Sequence, residues 1–150
     1  MSATRLTWDE YFTKMLSVVS ERATCDRGRA ACVVTRDRQV LATGYVGSPA
    51  GFPHCDDAGH LIEDGHCVRT VHAEQNALAS AARRGIALDG TTWYTTLVPC
   101  HVCAMLMVTA GAQRVVAAHT YQSTTGLHIL HQANVSCKIL SREQLYDPAR

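Results

Sequence analysis

Four side chains in two short stretches hold the reactive chemistry of this sequence. His72 and Glu74 lie in Val71-His72-Ala73-Glu74-Gln75-Asn76, and Cys100 and Cys103 in Leu97-Val98-Pro99-Cys100-His101-Val102-Cys103. One imidazole and two thiolates supply three ligands to a tetrahedral Zn²⁺ and leave its fourth position open, the mark of a catalytic rather than a structural site. Zinc in such a site brings the pKa of its water toward neutrality, giving a nucleophile for an amidine-like carbon. Glu74, two residues from His72, suits a proton shuttle that serves the water, a ring nitrogen and the departing ammonia. Taken singly, Cys-x-x-Cys also fits a redox pair or half of a structural zinc site, and a lone histidine is usually an ordinary one. A wholly structural zinc has no use for Glu74, so the combination points to hydrolysis at an amino-substituted ring.

These residues need elements that bring them together. Thr7-Trp8-Asp9-Glu10 reads as a capping box, opening a helix whose apolar residues Tyr11, Phe12, Met15, Leu16, Val18 and Val19 carry it to about residue 22. Residues 30–34 and 40–45 read as strands around a polar hairpin turn at 36–39. A long loop over 46–70 follows, dense in turn formers, and such loops are usually functional or pinned. A helix from Ala73 groups Ala77, Leu78, Ala81 and Ala82 on one side, with Gly85 as its cap. Then come a strand at 91–96, a helix from 100 to about 110 closed by Gly111, a strand at 114–118, a short helix at 126–132 and a strand at 135–140. The tail after Ser141 is expected to be peripheral. Alternating strands and helices predict an α/β domain with a parallel portion after the hairpin. Cys100 falls at a helix N-terminus, where free N–H groups and the helix dipole favour a thiolate. His72 likewise opens a helix.

The length of 150 residues predicts one domain over 1–150. Hydrophobic residues at 47% and charged residues at 18% describe a folding chain rather than a disordered one. A net charge of +1 with no basic block argues for a small substrate over a polynucleotide. No apolar run reaches the length of a membrane span, and the N-terminus lacks an apolar signal core, so a cytoplasmic location is expected. The seven cysteines are odd in number, and in a reducing compartment disulfides are the weaker reading. Cys32 and Cys137 lie in apolar runs and read as buried thiols. Cys25, Cys55 and Cys67 flank or enter the polar loop.

Gly44-Tyr45-x-Gly47-x-Pro49-x-Gly51-x-Pro53-His54-Cys55-Asp56, then Gly65-His66-Cys67-Val68-Arg69-Thr70-Val71-His72-Ala73-Glu74, resembles the deoxycytidylate (dCMP) deaminase family of the zinc-dependent cytidine deaminase-like superfamily. Tyr94-Thr95-Thr96-Leu97 and Ala110-Gly111-Ala112-Gln113-Arg114-Val115-Val116 are similar too, and the likeness spans roughly residues 8–140. It implies a three-layer sandwich with a mixed five-stranded sheet flanked by helices. It also implies hydrolysis of dCMP to dUMP and ammonia for pyrimidine deoxynucleotide metabolism. Zn²⁺ is then expected on His72, Cys100 and Cys103, with Glu74 catalytic. The expected assembly is a homo-oligomer, hexamer or dimer, and many members respond to dCTP with Mg²⁺ and to dTTP.

Some members carry a second, structural zinc. Cys25, Cys55 and Cys67 fit it, with His60, His54 or His66 as fourth ligand, against the alternative of three reduced thiols. Expected substrate contacts are Val46, the backbone near Thr96 and Leu97 at the base edge, and Tyr121 stacked on the base. Arg69, Arg83 and Arg114 are candidates for the phosphate. Val46 departs from the family, which normally has an Asn there that contacts the sugar. Losing one such hydrogen bond costs about 1–3 kcal/mol. The alternative reading is therefore a deaminase of another small substrate, a nucleoside or a modified pyrimidine nucleotide. A non-catalytic zinc subunit is disfavoured by Glu74.

Overall fold

The computed structural model describes residues 5–145. Helix α1 (Trp8–Ser20) opens on the capping box read from the sequence: Thr7 N–H donates to Glu10 Oε2 at 2.7 Å and Glu10 N–H to Thr7 Oγ1 at 3.3 Å. It ends two residues before the expected boundary. Strands β1 (Ala31–Arg36) and β2 (Gln39–Tyr45) run further into their hairpin than expected. The turn residues Asp37 and Arg38 both have positive φ, 51° and 62°. That is the backbone of a tight two-residue hairpin, reached here without Asn-Gly.

The segment expected to be one loop contains three short elements: α2 (Cys55–Ala58), β3 (Ile62–Glu63) and β4 (His66–Cys67). They are too short and polar to show a hydrophobic period. The chain continues with α3 (Ala73–Arg83), β5 (Thr91–Leu97), α4 (His101–Thr109) and β6 (Ala112–His119). It closes with α5 (Thr125–Gln132), β7 (Ser136–Ile139) and a short α6 (Arg142–Leu145). Of the tail expected to be peripheral, Leu145 packs against the apolar layer of α1, and residues 146–150 lie outside the described region.

The five long strands form one mixed sheet in the order β2-β1-β5-β6-β7. β1 is antiparallel to both β2 and β5, whereas β5, β6 and β7 are parallel. Parallel neighbours need a crossover, and α4 and α5 supply the two crossovers here. Alternation along the strands separates two apolar layers. Cys32, Val34, Trp93 and Val115 face α3, α4 and α5, alongside Ala77, Met107 and Leu130. Ala31, Val33, Tyr94 and Val116 face α1 with its Phe12 and Leu16. Helices therefore cover both faces, the three-layer sandwich. Cys32 is fully buried as expected; Cys137, on the edge strand β7, is only half-buried.

Gly44 lets α3 lie close on β2: a Cβ there would collide with the Ala73 carbonyl oxygen and stand 2.5 Å from the Ala77 nitrogen. Gly126 does the same for α5, whose first turn presses on the Pro99 carbonyl. On the opposite face Asp9, in the first turn of α1, takes both guanidinium nitrogens of Arg114 at 2.8 and 2.6 Å and the Lys138 ammonium at 3.3 Å. This ties α1 to β6 and β7.

Candidate active site

His72 and Cys100 are the N-cap residues of α3 and α4, and Cys103 follows one turn into α4. α3 starts at His72 because Gln75 Oε1 accepts the His72 N–H at 3.1 Å. α4 starts after Pro99, and its first turn lies beyond the carboxyl end of β5, where ligands collect in open α/β sheets. His72 Nδ1 is 3.6 Å from Cys100 Sγ and 3.5 Å from Cys103 Sγ. A tetrahedral zinc with Zn–S of about 2.3 Å and Zn–N of about 2.0 Å sets nitrogen–sulfur edges of about 3.5–3.6 Å. The donor set fits the metal.

Glu74 stands beside the cluster, one carboxylate oxygen 3.5 Å from Cys103 Sγ. Burial pushes its pKa up, against backbone hydrogen bonding and the His72 charge, which pull it down. A carboxyl raised in this way can hold a proton as well as accept one. The Cys100 thiol is brought down to about 3, chiefly by the hydrogen bond from Cys103 and further by His72. Cys103 is pushed up by Cys100 and by burial. Cys100 in turn raises the pKa of His72.

The cluster opens into a cavity of about 600 Å³ whose lining includes His72, Glu74, Cys100, Val46, Leu97 and Tyr121. Of the residues read from the sequence as substrate contacts, Thr96 turns elsewhere. Its Oγ1 accepts the Ala31 N–H at 2.9 Å, and its side chain lines a separate groove beneath α1. Strand alternation sends neighbouring side chains to opposite faces, so the Leu97 and Thr96 side chains do not share the cavity, and only the Thr96 backbone is left to meet a substrate there.

The three arginines read as phosphate candidates do not line the cavity. Arg114 is held by Asp9 beside α1, Arg69 donates to the Gly59 carbonyl at 2.9 Å, and Arg83 lies exposed in the last turn of α3. The cationic side chain in the lining is Arg27, which the sequence reading missed; it donates to the Gly65 carbonyl at 2.9 Å. Its place two residues after Cys25, in a segment already marked by a candidate ligand, was the available signal. His66, Thr70 and Gln122 also line the cavity and were not singled out as substrate contacts.

A second cluster lies against the same wall. Cys25, Cys55, His60 and Cys67 bring their ligand atoms within 4.8 Å of one another. Cys55 and Cys67 are 3.5 Å apart between sulfurs, and Cys25 Sγ is 3.6 Å from His60 Nδ1. His60 is thus the histidine that joins the three thiols, whereas His54 and His66 stay outside the group. The other His60 nitrogen meets Asp26 at 3.1 Å, the carboxylate backing common to metal-binding histidines. Burial opposes ionisation of Cys67, yet backbone N–H groups at Arg69 and Leu61 and the His60 ring hold its pKa at about 6. Four protein donors fit a closed structural site. All seven cysteines are free thiols.

Residues 6–119 match the family model of the cytidine and deoxycytidylate deaminase zinc-binding region. ComE operon protein 2 of Bacillus subtilis is 34% identical over 142 residues, covering 94% of this chain and 75% of the relative. The deoxycytidylate deaminase of Mycobacterium phage D29 is 36% identical over 121 residues, covering 73% of this chain and 92% of that protein. The dCMP deaminase of cyanophage S-TIM5, solved with dCMP and dUMP, superposes with a TM-score of 0.80 at 28% identity, over 92% of this chain and 100% of that one. The chain belongs to the cytidine and deoxycytidylate deaminase family, and within it to the deoxycytidylate deaminases, as a zinc-dependent hydrolytic deaminase.

Proposed function

We propose that this protein hydrolyses dCMP to dUMP and ammonia, within pyrimidine deoxynucleotide metabolism, as one deaminase domain over residues 1–150. The observation that carries this reading is one cavity whose lining includes Arg27 as well as His72, Glu74 and Cys100, with Cys103 grouped beside His72 and Cys100. His72 Nδ1 and the two sulfurs would hold Zn²⁺, which supplies a water acidified enough to attack the amino-bearing ring carbon. Glu74 would take one proton from that water and deliver it to ring nitrogen N3, then carry the second, from the hydroxyl newly bonded to the ring carbon, to the amino group as it departs as ammonia. Arg27, steadied by the Gly65 carbonyl, meets the phosphate, and Leu97 and Tyr121 enclose the base. Cys25, Cys55, His60 and Cys67 hold a structural zinc that stiffens this wall.

Val46 in the lining keeps a second reading in play, turnover of a modified pyrimidine nucleotide or a nucleoside. Arg27 favours a substrate with a phosphate. We also propose a homo-oligomer, since Val102 and Met105 leave apolar side chains exposed on the outer face of α4, 38% and 48% accessible. No described helix is long and apolar enough to cross a membrane, in keeping with the cytoplasmic location we propose. Control by dCTP with Mg²⁺ and by dTTP belongs to the same proposal and is read out by adding each effector to the assay. The test of the reaction is ammonia release from dCMP, CMP, dCTP, deoxycytidine and 5-substituted dCMP by zinc-loaded protein, with Glu74→Ala as control. Preferred turnover of dCMP is expected; silence on dCMP with turnover of another member overturns the substrate and leaves the zinc chemistry standing.

A further inference from the structure

Val46 occupies the strip of cavity wall between the metal-ligand cluster and the segment that carries Arg27. Its N–H donates to the Ala30 carbonyl at 3.0 Å and its carbonyl accepts from Thr24 N–H at 3.0 Å, which fastens it to residues 24–30. The next residue, Gly47, pairs with Val71 through hydrogen bonds of 3.3 and 3.0 Å, which places it beside His72. A nucleotide with its amino-bearing carbon at His72 and its phosphate at Arg27 must lay its sugar across this strip.

The side chains of the strip have nothing to offer a hydroxyl. The Val46 side chain has no polar atom, and both of its backbone polar groups already have partners. Ala30 and Ala73, which line the same cavity, add only methyl side chains. Asn76, the nearby amide on α3, does not compensate. Its Nδ2 points at the Tyr45, Gly47 and Val71 carbonyls, at 2.8, 3.4 and 3.5 Å, and the residue does not line the cavity. Sites built to hydrogen-bond a substrate hydroxyl reject the analogue lacking it by about 10⁴-fold or more, whereas an apolar wall discriminates only weakly.

We infer that Val46 makes the enzyme nearly indifferent to the 3′-hydroxyl of the sugar, so that 3′-deoxy nucleotides are substrates alongside dCMP. This deepens the proposed reaction and rests on it.

The experiment compares kcat/KM for dCMP and for 2′,3′-dideoxycytidine 5′-monophosphate, in the wild type and in Val46→Asn. Wild-type values within about tenfold of each other are expected, and a preference for dCMP at least about fivefold larger in Val46→Asn. Val46→Thr, which keeps the shape and adds a hydroxyl, serves if the Asn variant loses zinc or melts early. A wild-type preference for dCMP beyond tenfold overturns the inference and points to a hydroxyl partner on another wall, at Thr70, Thr120 or Gln122. Folded, zinc-loaded variants with an unchanged preference overturn it too. Absence of turnover on both nucleotides is a different outcome: it removes the dCMP reaction itself, and the inference with it.

Discussion

Glu74 and Asp9 are both carboxylates in the first turn of a helix, yet their surroundings drive them in opposite directions. Burial raises the pKa of Glu74, as a proton carrier requires, while the Arg114 guanidinium lowers Asp9 from 3.8 to about 2. Replacing Glu74 with Gln keeps the shape and removes the proton acceptor. Turnover is expected to fall about 10³-fold with zinc content unchanged, measured by ammonia release and metal analysis. Asp9 makes a stability prediction with a definite sign. Its folded pKa is depressed, so its contribution is complete above about pH 4 and is lost as pH falls toward 2. With the carboxylate only 17% exposed, that contribution is about 2 kcal/mol. Asp9→Asn should lower the melting temperature at pH 7 and show a shallower loss of stability between pH 4 and 2 than the wild type. Equal acid sensitivity in the two proteins would show that the Asp9 cluster has no part in it.

At the scale of elements, two helix starts set the metal site, and close approach of backbones fixes where those starts lie. Gly44→Ala should push α3 off β2 and destabilise the fold by about 1–3 kcal/mol. Because α3 carries His72 and Glu74, kcat should fall as well; a lower melting temperature with unchanged kcat would show that the helix start is positioned by other contacts. The loop cluster makes a separate prediction. His60→Ala should reduce bound zinc from about two to about one per chain and speed proteolysis within residues 50–70, because four donors are needed to close that site. A content near one per chain in both the wild type and His60→Ala would leave Cys25, Cys55 and Cys67 as reduced thiols.

The sequence was most legible where a period or a cap is physical: the capping box of α1, the alanine face of α3 and the two helix starts at His72 and Cys100. It was least legible where contact depends on tertiary placement. Thr96 and Leu97 are adjacent in sequence yet face opposite sides of the sheet, and Arg27 reaches the cavity from a segment with no periodic signal. The short elements inside 46–70 are arranged around side chains that meet only in three dimensions.

For the molecule as a whole, a sheet that begins antiparallel and turns parallel at β5 gives the cavity its location, since α4 must start where β5 ends. The alternation that predicted an α/β chain with a late parallel portion came from the order of elements, but the neighbour order β2-β1-β5-β6-β7 is a matter of pairing and does not appear in any local pattern. A near-neutral chain of net charge +1 also predicts modest ionic-strength dependence. Raising salt from about 50 to about 200 mM should reduce kcat/KM for dCMP by less than about tenfold, where a polynucleotide-binding protein loses about 10³-fold or more in affinity.

The pressure of Gly126 on the Pro99 carbonyl has a consequence for how short this enzyme can be made. The match to the family model ends at residue 119, after every donor atom of both clusters has been supplied. Yet α5 leans on the peptide that sets the Cys100 position, and its Leu130 is completely enclosed. A polypeptide cut after His119 would keep the whole chemical vocabulary of the site while losing the buttress behind it. The smallest working catalyst is therefore set by mechanical support and extends at least through α5, past the last reactive residue.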